Sequence, residues 1–89
     1  MIAKDTKNKL DLTTVPISLI EEVAKVREFG IKKYKERDNW REVPADKYEQ
    51  ALYRHWLAYL KGEDKDNESG LSHLSHIACN LAFLIELKQ

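Results

Sequence analysis

The chain has 89 residues, fifteen basic and fifteen acidic, giving a net charge of zero. That balance excludes the broad positive field of a general nucleic-acid binder, so any phosphate must be met by local charge. The length allows one small domain that buries only roughly 60 to 65% of its unfolded surface, so self-association is expected. Cys79 is the single cysteine and cannot form an internal disulfide. No apolar run reaches the ~20 residues of a membrane span, and the start has no signal-peptide core. A single cytoplasmic domain over 1–89, without membrane contact, is the expectation.

Residues 1–14 are polar and lysine-rich, with Leu10 and Leu12 alternating, and read as an extended arm or short edge strand. Pro16 suits the first turn of a helix. Ile17, Ile20, Val23, Ala24, Ile31 and Tyr34 then share one stripe at about 100° per residue, which predicts a helix to about Glu36. Gly30 interrupts it, predicting a bend or a close approach. Arg27 lies within the apolar stripe between Val23 and Ile31, so its guanidinium points inward and needs an anion, either a carboxylate or a substrate phosphate. Lys32, Lys33 and Lys35 surround Tyr34, and Asn39 and Trp40 follow in a loop. Cations beside a flat aromatic can grip a phosphate and stack a base.

A second helix is predicted from Pro44-Ala45-Asp46 to about Lys61, stopped by Gly62. Tyr48, Ala51, Leu52, His55, Ala58 and Tyr59 form one face; Tyr53, Trp56, Leu57 and Leu60 form another. A third helix is predicted from Ser69 or Gly70 to Lys88, apolar except for a strip of Ser72, Ser75, Cys79, Ala82 and Glu86. A helix this apolar is usually surrounded, so the expected fold is all-α: a three-helix subunit in an oligomeric helical bundle, with the N-terminal arm.

The chemistry concentrates between the second and third helices. Glu63, Asp66 and Glu68 lie in the connecting loop; His73, His76 and Asn80 fall within about 60° of one another and point inward. His55 lies on the small-residue face of the second helix, between Ala51 and Ala58, where it can meet them. Oxygen and nitrogen donors converging on one place suit a divalent cation, and a helix N-terminus keeps His73 neutral, as a metal requires.

The ordered set Pro16, Val23-Ala24, FGIKKY (29–34), Asn39-Trp40, Tyr48, Ala51-Leu52, Arg54-His55, Gly62-Glu63, Asp66, Glu68-Ser69-Gly70-Leu71, His73-Leu74, His76 and Asn80 resembles the phage-type dATP/dGTP diphosphohydrolase N-terminal domain family over nearly the whole chain. The resemblance implies conversion of a deoxypurine triphosphate to the monophosphate plus pyrophosphate. That activity is similar to that of the MazG-like all-helical pyrophosphohydrolases, which are metal-dependent oligomeric bundles. Their EExxE motif is not reproduced, since Lys25 stands where Glu21-Glu22 would need a third glutamate, although Glu63 and Asp66 stand as ExxD. Nor is there the adjacent His-Asp pair of HD-type phosphohydrolases, because Trp56 follows His55 and Leu74 follows His73.

Together these readings predict metal-assisted phosphoanhydride hydrolysis. Glu63, Asp66, Glu68, His73 and His76 are the expected metal ligands, with Mg2+ or Mn2+ first and Co2+ or Zn2+ as alternatives. His55, Glu63 and Asp66 are the catalytic candidates, His55 as base or water-orienting group. Arg27, Lys33 and Arg54 would clamp phosphates, Tyr34 and Trp40 would stack the base, and Asn39 and Asn80 complete the nucleotide contacts. The competing reading is a non-enzymatic oligomerisation or nucleotide-sensing module in which the same network is structural.

Overall fold

A computed structural model describes residues 9–89. Three helices form: α1 (Ile17–Tyr34), α2 (Ala45–Leu60) and α3 (His73–Leu87), with 3-10 turns at Leu12–Thr14 and Asn39–Glu42. No strand forms among the described residues; a lone antiparallel bridge joins Lys65 to Ser72. Part of the expected arm, residues 1–8, lies outside the described residues. Within 9–14 the chain turns instead of extending, because Asp11 accepts from the backbone and hydroxyl of Thr13. No helix among the described residues is long and apolar enough to cross a membrane.

Each boundary has a local cause. Lys35 takes a left-handed conformation (φ 62°) and donates its N–H to Ile31, so α1 ends at Tyr34, two residues before the predicted end at Glu36. The end of α2 is a Schellman turn: Gly62 (φ 95°) donates to Tyr59 O and Glu63 donates to Ala58 O, both at 3.0 Å. A side chain at position 62 would be strained at that φ, so the turn that launches Glu63 needs its glycine. The start of α3 corrects the expected Ser69 or Gly70. Ser72 is extended and its Oγ accepts from Ser75 N at 3.0 Å, capping the helix, while residues 62–72 are held as a loop. In that loop Asp66 N donates to Leu71 O, Gly70 N to Asp66 O and His73 N to Asp64 O, at 2.8 to 2.9 Å.

α3 is the central helix. It packs along both α1 and α2, which do not approach each other closely, so a cleft opens between them with α3 as its floor. The face of α3 turned inward carries small and polar side chains: His73, Ser75, His76, Cys79 and Asn80 are its buried residues. Burial of the Cys79 thiol pushes its pKa up to about 11, as befits a packing residue. Ser75 Oγ donates to Glu22 Oε1 at 2.6 Å, tying α3 to α1. The inward face of α1 is rotated from the predicted stripe: Glu22, Val23, Val26, Arg27 and Ile31 are half-buried, while Ile17, Ile20 and Tyr34 are exposed. Nothing lies within 4 Å of where a Gly30 Cβ would stand, so no close approach accounts for that glycine; it lines the cleft.

The Ser72 cap yields the first test. Ser72→Ala should cost about 1 kcal/mol, lowering the melting temperature by roughly 4 to 8 °C. A melt matching the parent chain would show that the loop bonds, not the cap, define the start of α3.

Candidate functional site

The cleft between α1 and α2 contains a cavity of about 570 Å3. The predicted phosphate and base contacts Arg27, Lys33, Tyr34, Asn39, Trp40, Arg54 and Asn80 all line it. So do His55, Asp66, Glu68 and His76. Glu63 and His73 do not. His73 is buried, and Glu63 opens onto a second depression beside α2 with Arg54 and Lys61.

A chain of short bonds runs from that depression to the cavity. Glu63 Oε2 lies 2.6 Å from His73 Nε2, and His73 Nδ1 lies 2.8 Å from His55 Nδ1. With the carboxylate accepting, His73 donates from Nε2, and the two Nδ1 atoms share one hydrogen bond. The His55 ring also stacks on His76, with centroids 4.4 Å apart and planes 4° from parallel. His76 Nε2 pairs with Ser69 Oγ at 2.7 Å, leaving Asp66 Oδ2 at 3.9 Å. Asp66 is oriented by Ser69, whose backbone N–H donates to Oδ2 at 2.8 Å. Ser69 therefore anchors both an acid and an imidazole, a role not foreseen, although Asp-x-x-Ser before glycine is a recognisable side-chain-to-backbone turn pattern.

These distances re-sort the expected metal ligands. One donor atom each from His55, Asp66 and His73 falls within 4.8 Å of the others. Glu63 stands one bond further out, against His73. Glu68 forms an ion pair with Lys33 at 2.5 Å, and His76 is taken by Ser69. Two imidazoles and a carboxylate make a donor set that fits a divalent ion.

Electrostatics favour the uncharged forms of His55 and His76. Burial pushes the His55 pKa down to about 4, helped by the neighbouring His76 and His73 and opposed by Asp66. His76 is lowered too, chiefly by burial. Burial pushes Asp66 the other way, but the Ser69 backbone and hydroxyl bonds and the two imidazoles leave it below the usual carboxylate range. A His55 this weakly basic suits a ligand better than the general base expected from the sequence.

The remaining groups also differ from expectation in their partners. Arg27 points inward as predicted, yet meets no carboxylate among the described residues: Nη2 donates to the Arg37 carbonyl, and the guanidinium lies 5.3 Å from the Phe83 ring centroid and 5.8 Å from that of Trp40. Trp40 stacks on Phe83 at 4.3 Å with Arg41 over its ring, while Tyr48 Oη donates to its carbonyl. Its ring is thus already engaged, whereas Tyr34 is 61% exposed with Lys33 over one face. Asn80 Nδ2 donates to the His76 carbonyl.

Residues 2–89 match the family described as dATP/dGTP diphosphohydrolase, N-terminal. A protein of Salmonella phage PMBT28 named dATP/dGTP diphosphohydrolase is 39% identical over 84 residues, covering 89% of this chain and 29% of that relative. The chain thus spans less than a third of the curated relative it matches. No solved structure matches it.

The depressed imidazoles have a consequence for stability. The unfolded chain takes up a proton on His55 near pH 6.5, and the folded chain only near about 4, so stability present above that window is lost as pH falls through it. His76 acts in the same direction. The urea midpoint should therefore fall between pH 6.5 and 4, and His55→Gln should flatten that limb; a midpoint equally steep in the variant would contradict the assignment.

Proposed function

The chain belongs to the dATP/dGTP diphosphohydrolase N-terminal family, and from that premise we propose that its cleft binds a purine deoxynucleoside triphosphate and serves metal-dependent hydrolysis to the monophosphate and pyrophosphate. The observation that carries this reading is one cavity, about 570 Å3, that brings the imidazole and carboxylate cluster together with cations and aromatic rings. Ligand cavities of roughly 300 to 1,000 Å3 accommodate molecules of that size.

In the proposed reaction, water oxygen bonds to the α-phosphorus, the α–β anhydride bond breaks, and pyrophosphate leaves with the bridging oxygen. When bound, a divalent ion supplies Lewis acidity, favouring deprotonation of water and screening the charge that builds on the phosphates. His55, Asp66 and His73 are the residues that fit it. Arg54 lies beside His55 on α2 and has no carboxylate within ion-pair distance among the described residues, so its guanidinium can donate to phosphate oxygens. Lys33 must share itself with Glu68 or exchange that partner for a phosphate. Arg27, braced by Phe83 and Trp40, adds positive charge to the same wall. Tyr34 is the more open of the two aromatic candidates for stacking a base.

Self-association belongs to the same proposal. Tyr53, Trp56, Leu57 and Leu60 of α2, with Leu74, Leu81 and Ile85 of α3, leave large apolar side chains exposed. A second copy covering them would stabilise a chain of this size. The non-enzymatic alternative shares the apolar surface but needs no turnover.

Pyrophosphate release from dATP and dGTP in the presence of divalent ions distinguishes the two readings. Asp66→Asn should lower kcat at least about 100-fold with the helical circular-dichroism spectrum intact, and Arg54→Ala should mainly raise KM. Undiminished release by the Asp66 variant would remove this cluster from the mechanism.

A further inference from the structure

We infer that Gly30 sets the size of base the cleft accepts: the hollow it leaves in the wall formed by α1 seats the fused second ring of a purine, which a side chain at that position would exclude. This rests on the nucleotide reading above and names the residue that gives it a preference for purines. The glycine is not explained by the chain's own needs. Positive φ among the described residues belongs to Lys35, Gly62 and Gly70, so the backbone at position 30 does not require it. Nothing lies within 4 Å of where its Cβ would stand, so packing does not require it either. Yet it stands inside an 18-residue helix, where only proline is less favourable. A destabilising residue that neither conformation nor packing demands is accounted for by a ligand that approaches it.

The place of Gly30 on α1 fits that role. On a helix, the residues three and four positions away surround a given residue on one face. For Gly30 these are Val26, Arg27, Lys33 and Tyr34, and all four line the cavity with it. The missing side chain therefore falls at the centre of the wall that α1 presents to the cleft. Its absence leaves a half-buried hollow rimmed by two cations, an aliphatic side chain and a phenol ring.

The chemistry of the hollow selects a flat ring over a phosphate. Amides inside a helix are committed to the carbonyl four residues earlier, so the floor at Gly30 offers no free N–H to an anion. It offers instead a bare Cα and peptide plane, which a ring can approach closely. Tyr34 at the rim is 61% exposed and supplies a stacking surface beside it. The triphosphate then extends toward Arg54 and His55 on the α2 side of the same cavity. A pyrimidine has one ring, does not reach into the hollow, and gains nothing from it.

The test uses the full chain in buffer containing Mn2+, titrated calorimetrically with the α,β-methylene analogues of dATP, dGTP and dCTP and with inorganic tripolyphosphate. Gly30→Ala should raise the melting temperature of the free chain by roughly 4 to 8 °C, because alanine is the better helix former. The same variant should weaken both purine analogues about tenfold or more, and Gly30→Leu should weaken them about a hundredfold or more. Tripolyphosphate and the dCTP analogue should bind both variants within about twofold of the parent chain. A glycine that served only the fold would not move stability and purine affinity in opposite directions. The alanine variant meets no atom within 4 Å, so it carries the test even if the leucine variant does not fold. Unchanged purine affinity in Gly30→Ala, or tripolyphosphate weakened as much as the purines, overturns the inference and leaves the hydrolase reading intact. A parent chain that binds neither purine analogue overturns both.

Discussion

The bonded line from Glu63 through His73 to His55 is the constraint on which the rest of the structure depends. Imidazoles withdrawn from water must find partners, because an unpaired buried nitrogen costs about 1 to 3 kcal/mol. Every buried side-chain nitrogen and oxygen among the described residues has one. That satisfaction requires the loop after α2 to return Glu63 over the start of α3. The Schellman turn at Gly62 and the Ser72 cap are the backbone devices that bring this about.

The same requirement explains the unusual burial of α3. Its polar and small residues face inward, and Leu74, Leu81 and Ile85 remain exposed, while Phe83 is half-buried against Trp40. Small side chains let the helix sit close to α1 and α2, and the polar ones are matched by Glu22, Ser69, Asp66 and His55. Hydrophobic burial within one chain is correspondingly thin, with Cys79 the only fully buried apolar residue among those described. Structure in this chain therefore leans on hydrogen bonds that double as a candidate site, so disturbing the site and disturbing the fold are linked.

Much of the architecture was legible in the sequence. Helix number, the half-buried face of α2, and the inward direction of His73, His76 and Asn80 all followed from periodicity. The inward turn of Arg27 followed too, but not its partner: a main-chain carbonyl and two aromatic faces replaced the anion that charge logic demanded. The α3 start was misread because Ser69 and Gly70 have the composition of a helix entry, while the stronger cap, Ser72, depends on backbone geometry. Ligand ranking failed for a similar reason. Glu63, Asp66 and Glu68 are alike in a sequence, and only their three different partners separate them.

What the sequence determined by itself is local: three helical periods, their stops at Gly62 and near Glu36, and a gathering of acids and imidazoles around one loop. These follow from propensities and spacings that act over a few residues. The tertiary structure alone decided that α1 and α2 stand apart across α3 and leave a cavity, and which donor meets which. A hydrogen bond of 2.8 Å between His55 and His73 depends on the packing distance of two helices and the rotamers it permits. No pattern along one chain encodes that distance directly, because it is set by all the side chains between the helix axes at once.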